Sequence, residues 1–197
     1  MKKTIITIGR EYGSGGRELG LKLAERLGWK FYDKELIGEL AEKIMMPESI
    51  VAGSDEKPLR RNIFQEIFPI FANDASDQDK FIFDQQGKFI KELAEKGNCI
   101  FIGRRADYYL KDNPEAMHIF LYADLDFRAE RIAESENCTI EEAKELIAST
   151  DKRRRTSYEY TTNRSWGDMH NYDRLICTST FGIDAAVEEI VRLVETE

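Results

Sequence analysis

Gly9-Arg10-Glu11-Tyr12-Gly13-Ser14-Gly15-Gly16-Arg17-Glu18 follows the run Thr4-Ile5-Ile6-Thr7-Ile8, and together they predict a strand, a turn and a helix. The run is β-branched throughout, as a buried strand is. Beyond the glycines, Leu19, Leu23 and Leu27 recur with Ala24 on one helical face, the spacing of a helix laid on a sheet. A glycine-rich turn between such a strand and a helix N-terminus leaves backbone N–H groups without acceptors, where the helix dipole adds positive potential. Phosphate is the usual occupant of such a turn, and a tight turn without a ligand is the plainer alternative. The usual phosphate loop is Gly, four residues, then Gly-Lys-Ser/Thr. Aligned on Gly13-Ser14-Gly15, this chain has Arg10 at the first glycine, Gly16 at the lysine and Arg17 at the hydroxyl. The backbone cradle is therefore kept, and the two usual side chains are not.

Outward from the turn the pattern alternates. Gly28 closes the first helix, and Trp29-Lys30-Phe31-Tyr32-Asp33 predicts a second strand. Asp33 falls at its C-terminal end, where it either caps the next helix or faces a ligand crevice. Residues 45–79 are loosely patterned, with Pro47, Gly53, Pro58 and Pro69 around a short amphipathic helix at 62–68, and they predict a mobile insertion forming a flap. Helical order returns from Asp77 to Lys96. Cys99-Ile100-Phe101-Ile102 predicts a third strand, leading into Gly103-Arg104-Arg105. Arginines at the end of a buried strand are costly unless they meet anions, so Arg104 is read as an anion ligand and Arg105 as half of a surface salt bridge.

A fourth strand is expected at 116–122, followed by a helix with Arg128 and Arg131 on one face. Thr139-Ile140-Glu141-Glu142 has capping-box spacing and starts a helix reaching at least Ala148. The basic cluster Lys152-Arg153-Arg154-Arg155 comes next, then Tyr158 to Asp168, read as an ordered loop. Arginines on a movable helix-loop suit closure over a transferring phosphoryl group. A final strand at 175–178 precedes a helix with the stripe Val187, Ile190, Val191, Val194. The whole is α/β: a largely parallel five-stranded sheet with helices on both faces.

With 197 residues, 42% hydrophobic and 34% charged, the chain fits one globular domain with a small insertion. Its net charge of −8 speaks against nucleic-acid partners. No apolar run approaches a membrane span or a signal-peptide core, so no membrane is expected and the location expected is cytoplasmic. Cys99, Cys138 and Cys177 are far apart, which fits reduced thiols. Neither His118 nor His170 has a cysteine or histidine at ligand spacing, so no structural zinc site is expected.

The segments Ile8 to Glu18, Phe31-Tyr32-Asp33-Lys34-Glu35-Leu36-Ile37, Gly103-Arg104-Arg105-Ala106-Asp107-Tyr108, and Trp166-Gly167-Asp168 with Asn171-Tyr172-Asp173 together resemble the cytidylate kinase-like family. The likeness spans nearly the whole chain, and the joint order of these segments is far more specific than the glycine turn alone. It implies a three-layer P-loop fold with core 1–37, 97–149 and 171–197, a nucleoside-monophosphate-binding insertion at 38–96, and a lid at 150–170. It also implies ATP and Mg²⁺ as cofactors, small-molecule nucleotides as partners, and transfer to a monophosphate, CMP or dCMP first. By the same resemblance Gly13, Ser14, Gly15, Gly16, Arg17 and Glu18 bind donor phosphate. Asp33, Arg104, Asp107, Arg128 and Arg131 bind the acceptor, while Arg104, Arg153 and Arg154 act on the transferred group; Arg17, a departure from the family pattern, is expected to act there too by taking over part of the missing lysine's task. No residue pattern singles out magnesium ligands or an oligomeric state.

The missing lysine and hydroxyl keep open a nucleotide-binding or regulatory protein without turnover, and the loose pattern of 45–80 keeps open a kinase for another small acceptor. A dinucleotide fold ranks below these, because its third glycine is due where Glu18 stands.

Overall fold

Strand β1 (Ile5–Arg10) lies in the middle of a five-stranded sheet whose neighbours are all parallel, in the order β2-β3-β1-β4-β5. The computed structural model describes residues 2–49, 51–52 and 75–196. In chain order the other elements are α1 (Gly16–Leu27), β2 (Lys30–Tyr32), α2 (Glu35–Lys43), α3 (Ala75–Ala94), β3 (Cys99–Ile102), α4 (Ala106–Tyr109) and β4 (Ala116–Tyr122). Then come α5 (Leu125–Glu136), α6 (Ile140–Thr162), a 3₁₀ turn (Met169–Asn171), β5 (Arg174–Cys177), α7 (Thr178–Phe181) and α8 (Ile183–Thr196).

The sheet is buried on both faces, which is why its central strands are apolar runs without alternation. Ile6 and Ile8 of β1 pack with Leu19, Leu23, Ile100, Ile102, Ile119 and Ile190, under α1 and α8. Ile5, on the opposite face, packs with Phe101, Leu36, Leu40, Ile82 and Ile90, under α2 and α3. The expected five-stranded α/β architecture is the observed one. Because β1 sits between β3 and β4, the chain's direction across the sheet reverses at its C-terminal end, and a ligand crevice opens there.

Two expectations change. Tyr158 to Thr162 is not loop: α6 continues unbroken from a complete capping box at Thr139 and Glu142 to an αL cap at Asn163. Tyr158 lies on its buried face, 5% exposed, while Tyr160 points outward. Most of the predicted flap, with the short helix at 62–68, lies outside the described residues. The three cysteines are free, and among the described residues no helix is long and apolar enough to cross a membrane.

Candidate functional site

The turn after β1 is built to leave donors exposed. Gly13 and Gly15 both have φ +83, which a side chain rarely adopts, and a Cβ at Gly15 would lie 2.5 Å from Ile183 Cδ1. Ser14 is turned inward, its hydroxyl donating to Glu11 O at 2.8 Å, while its own carbonyl accepts from Thr178 Oγ1 at 2.8 Å. The N–H groups of Gly13, Gly15, Gly16, Arg17 and Glu18 meet no acceptor among the described residues. They surround a cleft of about 530 Å³, within the size range of small-molecule sites.

The turn is held from behind. Tyr12 N–H donates to Asp151 Oδ1 at 2.7 Å, and Arg128 Nη1 donates to Asp151 Oδ2 at 2.6 Å. Arg128 Nε also faces Glu11 Oε2 at 3.5 Å. Asp151 lies on α6, so this contact joins the glycine turn to the helix that carries the basic cluster. Burial pushes the Glu11 carboxyl above the ordinary glutamate range, against the opposing pull of Arg128.

A second, smaller cavity of about 80 Å³ lies beside the cleft, lined by Arg10, Arg104, Arg105, Asp107, Arg153 and Arg154 among others. Gly103, Arg104 and Arg105 have φ +64, +57 and +57. Three consecutive left-handed residues reverse the chain after β3 and bring both arginines to the crevice, a strained conformation of the kind that marks functional sites. Burial first, and then the neighbouring Arg10 guanidinium, pull the Arg104 pKa down to about 10. So many guanidiniums around so small a volume favour an anion of phosphate size. Arg10 and Arg154 line both the cleft and the cavity, so the two spaces adjoin.

The other expected site residues are placed as follows. Arg17 lines the cleft, drawn to its far wall by Asp33, with Nε to Oδ2 at 3.0 Å. Asp33 therefore does not cap α2, whose N-cap is Lys34. It lines the glycine cleft and not the arginine cavity.

Arg128 and Arg131 do not join Arg104 in an acceptor site. Arg128 is consumed behind the turn, and Arg131 lines the cleft with Nη2 on Glu18 Oε2 at 2.7 Å. The shared helical face of these two points to the glycine turn and the start of α1, not to the turn after β3. Asp107 lines the arginine cavity, but its carboxylate accepts from Tyr158 OH at 2.6 Å, and burial raises its pKa above the usual aspartate range. Arg105 is not on the surface. It is 6% exposed, with Nη2 on Gln86 Oε1 at 2.9 Å and Nη1 on Ser157 Oγ at 3.1 Å, so it ties α3 to α6.

Arg10 is the cavity residue that sequence reasoning passed over. The available signal was a cation at the C-terminal end of a strand that is otherwise buried.

Among the described residues no group of three acidic, histidine or cysteine side chains could hold a metal. Three carboxylates around the cleft face cations, Asp33 with Arg17, Glu18 with Arg131 and Glu11 with Arg128, and a fourth, Glu136, accepts from Tyr12 OH at 3.1 Å. Magnesium carried on nucleotide phosphates keeps most of its ligands as water and phosphate oxygen, and these residues build no dedicated site for it.

A model of the cytidylate kinase-like family matches residues 5–180. The chain is 30% identical to the cytidylate kinase of Methanopyrus kandleri over 189 residues, 91% of this chain and 87% of that one. It is 31% identical to the cytidylate kinase of Methanothrix thermoacetophila over 174 residues, 88% of each chain. Among solved structures, an uncharacterized protein from Eubacterium ventriosum aligns with a TM-score of 0.76 at 27% identity, covering 99% of this chain and 100% of that one. Shikimate kinase from Acinetobacter baumannii aligns at a TM-score of 0.52 and 16% identity over 98% of this chain and 94% of that one, a likeness of fold alone.

Proposed function

The chain belongs to the cytidylate kinase-like family, and on that premise we propose that it transfers a phosphoryl group from ATP to a nucleoside monophosphate, CMP or dCMP first. The observation that carries this reading is the adjacency of the two spaces: a glycine-turn cleft and an arginine-lined cavity that share Arg10 and Arg154 as a common wall. The relatives named as cytidylate kinases at 30% and 31% identity support the choice of acceptor.

In this reading the donor phosphates lie on the N–H groups of Gly13 and Gly15 to Glu18, at the positive end of α1. Arg104 and Arg153 hold the acceptor phosphate in the cavity. An oxygen of the acceptor phosphate attacks the γ-phosphorus, the bond to the ADP oxygen breaks, and ADP leaves. This reaction asks little covalent chemistry of a protein, so positioning in line and neutralising the equatorial oxygens are the contributions expected. Arg154 lies between donor and acceptor, its Nη1 donating to Arg10 O at 3.2 Å and its guanidinium 5.4 Å from the Tyr12 ring. Arg17 adds positive charge from the far wall. Magnesium enters as the counter-ion of ATP.

The absent lysine and hydroxyl at Gly16 and Arg17 favour a second reading, nucleotide binding without turnover. Incubation of ATP-Mg²⁺ with CMP, dCMP, UMP, AMP, GMP and dTMP, following ADP release, separates the two. Highest kcat/KM with CMP or dCMP is the expected result. ATP binding with no turnover on any acceptor establishes the second reading in its place.

A further inference from the structure

We propose that Arg10 supplies, from the end of β1, the phosphate-binding cation that the usual loop supplies from a lysine at the start of α1. The inference rests on reading the glycine turn as the donor-phosphate site, and it assigns the missing charge to a residue outside that turn.

A Cβ at Gly16, the lysine position, would lie 2.8 Å from Arg10 Cγ and 3.0 Å from Arg10 Cβ. The space that a side chain at position 16 would enter is already filled by the aliphatic stem of Arg10. At its other end, a Cβ at Gly103 would lie 1.8 Å from Arg10 Nη1 and 2.9 Å from Cζ. The side chain thus leaves β1, passes against Gly16 and ends over Gly103, and a methyl group at either glycine would obstruct it. Arg10 as a whole lines both the glycine cleft and the arginine cavity, its stem beside Gly16 of the first and its guanidinium beside Gly103 of the second.

Two departures from the usual loop, arginine in place of the first glycine and glycine in place of the lysine, are therefore one relocation of a positive charge. Around the turn Arg17 pairs with Asp33, Arg131 with Glu18 and Arg128 with Asp151, while Arg154 lines the cleft together with Arg10. Arg10 is also close enough to Arg104 to depress its pKa, and an anion between them relieves that repulsion. A guanidinium offers two parallel N–H donors to a phosphate where an ammonium offers a point charge, so the relocation also changes the grip.

Calorimetric titration of the full chain with ATP and with pyrophosphate tests this. Arg10→Gln, which keeps the stem and removes the charge, is expected to weaken both ligands about 10- to 100-fold, the effect of deleting a charge-assisted hydrogen bond. Arg10→Lys is expected to stay within about 5-fold of the unmodified protein, since it keeps a charge on a similar stem. In the double variant Arg10→Ala with Gly16→Lys, the emptied space admits the lysine, and about 10-fold or more of the lost affinity returns relative to Arg10→Ala alone.

Arg10→Gln binding ATP as tightly as the unmodified protein would overturn the proposal, as would no ATP binding by the unmodified protein. The two readings fail separately. ATP binding that depends on Arg10 without turnover upholds the cation's place and removes the kinase reading; turnover by Arg10→Gln with the KM for ATP and the ATP affinity of the unmodified protein does the reverse.

Discussion

Asp151→Ala tests the joint between the basic helix and the glycine turn. Asp151 and Arg128 are 15% and 10% exposed, and the pair closes at 2.6 Å. Removing one member of a buried pair costs about 3–5 kcal/mol, because the other charge stays buried. Glu11, 3.5 Å from Arg128 Nε, remains as a weaker partner and places the loss near the lower limit, at about 3 kcal/mol. The Tyr12 N–H loses its acceptor as well, which adds about 1 kcal/mol once water reaches it. A total of about 3–4 kcal/mol lowers the Tm of a chain this long by about 6–16 °C. Replacing Arg128 with Met in the same background removes the stranded charge, so the double variant is expected to recover about 2 kcal/mol relative to the sum of the single variants. Urea and thermal unfolding followed by circular dichroism measure all four states of the cycle. An Asp151→Ala protein melting within about 2 °C of the parent, or strictly additive single variants, would refute the coupling.

Three further outcomes are expected. Gly15→Ala places a side chain at φ +83 and 2.5 Å from Ile183 Cδ1, and should cost about 2–4 kcal/mol from backbone strain and overpacking. Gly28→Ala, at φ +67 with nothing within 4 Å, should show only the backbone part of about 1–2 kcal/mol, and equal losses in urea melts would contradict this. Asp107 has a raised folded-state pKa, so its contribution to stability is full below about pH 3.8 and is lost as pH rises through the raised value. Asp107→Asn removes that loss, and the stability of the variant minus that of the parent should grow from pH 4 to pH 8; a flat or falling difference would count against it. Arg104→Met should leave the unliganded Tm unchanged or higher, since it removes a partly buried cation that Arg10 repels. On the proposed function it should also abolish the stabilisation that CMP is expected to give the parent, about 2.7 kcal/mol at 100 times Kd. Thermal shift with and without CMP reads both effects.

The element order and the glycine turn were legible because they depend on local pattern. The consecutive β-branched residues Thr4 to Ile8 read as a buried strand, and the glycines after it as a turn with outward N–H groups. The capping box at Thr139 and Glu142 and the strand at Cys99–Ile102 were legible for the same reason. Partner choice among charged side chains was not, because it depends on elements far apart in the chain. Helical spacing correctly placed Arg128 and Arg131 on one face, yet could not tell that Asp151 and Glu18 would claim them. Arg105 reads as a surface cation until α3 and α6 close over it.

The sequence by itself determined that a glycine-rich turn follows a buried strand and that the lysine and hydroxyl of the usual phosphate loop are absent from it. Tertiary structure alone decided which cations reach the turn. A guanidinium's position is set by where its stem can pass, and the path of Arg10 between Gly16 and Gly103 exists only once β1, α1 and the reversal after β3 are packed together.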